Sequence, residues 1–88
     1  MGMQLLLTER FRRAYRSLST QDRKRVQKAL RLIESDLRHP SLRVKRIQGT
    51  AKVWEARASR SLRITFEVEG KTLTLRNVGH HQDALRNP

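Results

Sequence analysis

With 88 residues and a mass of 10.3 kDa, the chain has room for one small domain around a single core. Cysteine is absent, which excludes disulfides, thiol nucleophiles and cysteine-ligated zinc or iron–sulfur sites. Twenty Lys and Arg against eight Asp and Glu give a net charge of +12, so polyanions are the expected partners: nucleic acid first, then an acidic protein, then an anionic membrane surface. Fifteen of the twenty cations are arginine, which forks phosphate bidentately where lysine cannot. The longest apolar run, Leu5 to Leu7, is far short of the roughly 20 residues a membrane span needs. No signal peptide is visible, and a soluble cytoplasmic protein is expected.

In chain order, Met3–Leu7 predicts a first strand. Thr8 offers an N-cap hydroxyl and Glu9 a first-turn carboxylate. Phe11, Ala14, Tyr15 and Leu18 then follow at helical spacing, predicting a helix over 9–18. Ser19 to Asp22 reads as a capping box, with Ser19 as the cap and Asp22 reaching back. Val26, Ala29, Leu30, Ile33 and Leu37 form one apolar stripe on a second helix over about 21–38, closed by Pro40. His39 sits beside Pro40, where capping is its ordinary role.

Beyond Ser41 the period changes to two. Extended pieces are expected at Val44–Ile47, ending at Gly49, and at Val53–Ser59. Leu62, Ile64, Phe66 and Val68 alternate with Arg63, Thr65, Glu67 and Glu69, the pattern of a half-buried strand. Gly70 suits a tight turn, and Thr72–Arg76 alternates again. The expectation is a small α+β domain in the order β-α-α-β-β-β, with two N-terminal helices packed on an antiparallel sheet.

Residues 41–63 hold seven basic groups, Arg43, Lys45, Arg46, Lys52, Arg57, Arg60 and Arg63, against the single acid Glu55. If Leu62, Ile64 and Phe66 face the core, Arg63 stands on the opposite sheet face as an exposed side chain. Glu55, Arg57 and Arg76 join it there by the same parity. Like charges on one face repel, so that face either holds acidic partners or binds phosphate. Trp54 alternates with charged neighbours and is expected in the core. His80 and His81 follow Gly79, and imidazole can give and take protons near neutrality. Adjacent strand histidines point to opposite faces and only Asp83 lies near, so no metal site is expected. No cofactor-binding motif is present.

Leu42, Ile47-Gln48-Gly49, Val53 to Arg57, Leu62 to Phe66 and Asn77 to His81, taken in order, resemble the RelE/ParE toxin superfamily over about residues 3–85. The Gly-His-His ending resembles the RelE-type messenger-RNA interferases more than the ParE type. That resemblance implies the toxin of a type II toxin–antitoxin system. Its partners would be an acidic antitoxin, the ribosome and messenger RNA, and the free chain is expected to be a monomer. It further implies metal-independent cleavage of RNA in the ribosomal A site, the 2′-hydroxyl attacking its own adjacent phosphate. In such enzymes a third-strand arginine, here Arg63, and a residue ending the last strand, here His81 or otherwise His80, are catalytic. Glu55 can accept a proton, while Lys45, Arg46, Lys52, Arg57 and Arg76 are the candidate phosphate contacts. Many members carry a C-terminal tyrosine that stacks on a base, whereas this chain has no aromatic residue after Phe66. The alternatives are a non-catalytic gyrase inhibitor of the ParE type and an inactive binding module of the same fold.

Overall fold

A computed structural model describes residues 2–88. Strand β1 covers Gln4–Leu7, helix α1 Glu9–Arg16, and helix α2 Thr20–Ser35. A 3-10 turn at Pro40–Leu42 leads to β2, Lys45–Arg46, and then β3, Trp54–Arg57. Strand β4 is Leu62–Glu69, β5 is Thr72–His80, and a short helix α3 follows at His81–Arg86. Among the described residues no helix is long and apolar enough to cross a membrane.

The N-terminal helices start where the polar caps dictate. Thr8 Oγ1 accepts the Phe11 N–H at 3.1 Å, and Ser19 Oγ accepts the Asp22 N–H at 3.1 Å. The Asp22 carboxylate does not close the capping box; it pairs with Arg25 and His80 instead. Helix α2 stops at Ser35, earlier than its apolar stripe suggests. Asp36 accounts for the stop: its carboxylate accepts the Arg38 N–H at 3.1 Å, a local turn that competes with helix.

The sheet has the order β1-β5-β4-β3-β2. β2, β3, β4 and β5 pair antiparallel in sequence, as expected, but β1 runs parallel to β5 and makes the sheet mixed. The reason is connectivity. A chain that leaves β1 through two helices can return to the middle of the sheet in either direction. Phe11, Val26, Ala29 and Ile33 from the helices bury against Leu62, Ile64, Phe66, Leu73, Leu75 and Val78. At roughly 25 cal/mol per Å² of apolar area, this burial is the main stabilising term.

Strand β5 contains a bulge. Thr65 pairs with Asn77 but Phe66 with Leu75, so Arg76 is an extra residue on β5. Leu73 and Leu75 precede it and Val78 follows it, yet all three are buried in the core. Every side chain after Arg76 therefore has the parity opposite to uninterrupted alternation.

Candidate functional site

Alternation divides the sheet into a helix side, carrying Ala56, Leu62, Ile64 and Phe66, and an opposite face. In the β3–β4 register Arg57 lies across from Arg63 and Glu55 across from Thr65; in the β2–β3 register Lys45 lies across from Glu55. Lys45, Glu55, Arg57 and Arg63 thus share the opposite face over three neighbouring strands. Helix α3 lies against this face with Ala84 fully buried. It passes near Gly79, the partner of Arg63, where an added Cβ would meet Ala84 N and Asp83 Cβ at 3.9 Å.

Arg63 is not exposed, contrary to the expectation from parity. Its side chain is 6% accessible and that of Glu55 is 7%. The guanidinium folds back on its own turn: Nη1 donates to the carbonyls of Ser59 at 3.2 Å, Arg60 at 3.1 Å and Leu62 at 3.2 Å. Nε lies 3.5 Å from Glu55 Oε1, an ion pair at the outer limit of hydrogen-bond length. Burial holds the Arg63 pKa below its ordinary value, repulsion from Arg57 adds to this, and Glu55 opposes it.

Arg57 has no such settlement. Its Nε is buried and has no hydrogen-bond partner among the described residues. It borders a recess of about 310 Å³ with Arg43, Val44, Lys45 and Glu55. Arg43 reaches the recess from a left-handed backbone, φ 45°, at the end of the 3-10 turn. Periodicity cannot reveal that placement. Three cations converge on this recess against one carboxylate, and the carboxylate is already engaged by Arg63. Such a recess suits an oxyanion.

The remaining candidates are dispersed. Arg46 lies opposite Trp54 and so belongs to the other side of the sheet. Lys52 is exposed in the loop before β3. Arg76 sits at the β5 bulge and is paired with Glu67. His80 lies across from Leu62 and turns to the helix side, where Nε2 is 3.3 Å from Asp22 Oδ2 and Nδ1 is 3.2 Å from Ser61 Oγ. His81 opens α3 with an exposed side chain, and its backbone N–H donates to Ser61 O at 2.6 Å, beside the turn that Arg63 caps. Trp54 has the core parity but is 36% exposed, because α2 ends too early to cover that end of the sheet. There it lines an open groove with Leu37, Pro40 and Val68. No hint of α3 was expected from periodicity, although Asp83 in a first turn and Ala84-Leu85 after it are compatible with a short helix.

No protein-family model matches the sequence, and no curated protein matches it. Solved structures do. An archaeal RelE–RelB complex from Pyrococcus horikoshii superposes with a TM-score of 0.74 at 16% identity, covering 92% of this chain and 97% of the other. Free YafQ from Escherichia coli gives 0.78 at 9% identity, covering 92% and 96%. The RelB–RelE antitoxin–toxin complex from Methanococcus jannaschii gives 0.70 at 22% identity, covering 89% and 92%. With nearly the whole of each chain superposed, the fold of this protein is that of the RelE/ParE toxin superfamily.

Proposed function

We propose that the chain is the toxin of a type II toxin–antitoxin pair and that it cuts messenger RNA on the ribosome. The observation that carries this reading is the cross-strand pair of Arg57 and Arg63, with one carboxylate, Glu55, engaged by Arg63 and a buried Arg57 Nε that no group among the described residues satisfies. Such a face is incomplete without an anion. Neighbours of the same fold are toxins in complex with RelB or DinJ antitoxins, which supports an antitoxin partner here.

In the proposed reaction the RNA 2′-oxygen attacks the adjacent phosphorus and the bond from phosphorus to the 5′-oxygen breaks. The products are a 2′,3′-cyclic phosphate and a 5′-hydroxyl. Glu55 takes the 2′-hydroxyl proton, and His81 returns one to the departing 5′-oxygen. Arg57 and Lys45 hold the phosphate. Arg63, with Nη1 and Nε engaged, supplies a fixed charge next to Glu55. Positive charge held in advance, in a partly dry site, stabilises the crowded phosphorane-like state.

The test is cleavage of a messenger on programmed ribosomes, with induction in cells followed by labelling of protein and DNA. Arrested protein synthesis with cut messenger supports the proposal. Arrested DNA replication with intact messenger would transfer the chain to the gyrase-inhibitor reading.

A further inference from the structure

A second recess, of about 540 Å³, opens on the same sheet face at the C-terminal end of α3. Arg10 from α1, Arg76 from the β5 bulge and Arg86 from α3 line it, with Thr50 and Asn77 in its walls. Chain connectivity separates these arginines by up to 76 positions, so nothing local requires them to meet. Glu67 engages Arg76 Nη1, and positive charge remains in excess. Thr50 and Asn77 spend their polar atoms on internal bonds and give the recess shape only.

Two details mark it as a place for an oxyanion. The backbone oxygen of Pro88 accepts from Arg10 Nη1 and from Arg76 Nε, both at 3.3 Å, so an oxygen already sits between two guanidinium groups. The second Arg10 nitrogen, Nη2, is buried and has no partner among the described residues. A buried guanidinium nitrogen without an acceptor is costly, and a multi-oxygen anion satisfies what that one oxygen does not reach.

Resting on the RNA reading above, we propose that this recess is a second phosphate subsite, which holds another phosphate of the same RNA strand whose scissile phosphate lies against Arg57. Arg76 on β5 and Arg57 on β3 lie two strand intervals apart, or about 10 Å across the sheet. A polymer with a charge at every nucleotide reaches both, and a single small anion does not. The bulge serves the subsite directly, since the extra residue Arg76 is what re-aims the strand there.

The experiment measures binding of a short single-stranded RNA across a salt series for the parent, Arg10→Gln and Arg86→Gln, with thermal melts of each. Arg86 is exposed, so its variant folds even if Arg10→Gln is weakened. Expected is a loss of affinity of about tenfold per variant and a salt slope shallower by about one. Parent-like affinity and slope in a folded Arg86→Gln and Arg10→Gln would overturn the proposal. Should the parent bind no RNA, the RNA reading fails, and inorganic phosphate followed by amide NMR judges the recess alone. Saturating shifts at Thr50, Arg76 and Arg86 that vanish in the variants keep the anion site, and their absence removes it. If the variants lose binding to a polyglutamate peptide but not to RNA, the recess serves an acidic protein and the phosphate assignment is wrong.

Discussion

Arg57 and Arg63 lie directly opposite each other on adjacent antiparallel strands, and the Glu55 carboxylate that serves Arg63 stands two residues before Arg57. Like charges so placed oppose folding. Arg63 is compensated by its ion pair and by three carbonyls of the β3–β4 turn, whereas Arg57 keeps a buried Nε with no acceptor. The two arginines therefore differ: one secures the turn, and the other keeps an unsatisfied donor.

Arg63→Ala leaves the Glu55 carboxylate buried and unpaired and frees three turn carbonyls. Breaking a buried pair from one side costs about 3–5 kcal/mol, and denaturant titration should find a loss of that order. The double variant Glu55→Leu/Arg63→Met should recover much of it, because no isolated charge remains. Neither protein should cut messenger. An Arg63→Ala protein as stable as the parent would contradict the structural role given to this side chain.

Removing Arg57 has the opposite consequence for folding. Arg57→Ala relieves the repulsion on Arg63 and takes away an unsatisfied donor, so melting should occur at or above the parent temperature. RNA affinity and cleavage should fall together. A clear drop in melting temperature with cleavage intact would assign Arg57 to packing.

The histidines separate by the face they occupy. His80 turns to Asp22 and Ser61 on the helix side, while His81 begins α3 next to the β3–β4 turn. His81→Ala should slow cleavage on the order of 10²–10⁴-fold, the range for a group that moves a proton. His80→Ala should leave the rate near that of the parent. Single-turnover cleavage on programmed ribosomes decides between them, and the reverse ranking would move the acid to the other side of the sheet.

An acidic antitoxin that neutralises Arg57 and Arg63 should be sensitive to charge reversal at Arg57, the half-buried member of this pair. Arg57→Glu should weaken the complex, most at low salt, where charge complementarity acts at longest range. Titration calorimetry with the product of a neighbouring reading frame checks this. Equal affinity at low salt would place the antitoxin elsewhere on the surface.

Much of the fold was legible because its signals are local. The Thr8 and Ser19 caps, the stripe from Val26 to Ile33 and the alternation of Leu62 to Val68 each involve residues a few positions apart, whose geometry the helix and strand periods dictate. The same alternation placed Glu55, Arg57 and Arg63 together on one face. The β5 bulge was not legible, since Arg76 becomes an extra residue only when β4 is laid beside it. His80 consequently turned to a face that counting from Leu75 assigns differently.

Short periods and capping chemistry set the order of elements as far as β5, the apolar core and the basic sheet face, but not helix α3. Tertiary structure decided the parallel placement of β1 beside β5, because two intervening helices leave the direction of return open. It decided the burial of Arg63, because strand parity gives a side chain's face but not whether a long guanidinium projects or folds back onto its own turn. It also decided that Arg10, Arg76 and Arg86 share a recess. Their meeting depends on how α1, β5 and α3 pack, and contacts between residues so far apart in the chain leave no periodic trace in it.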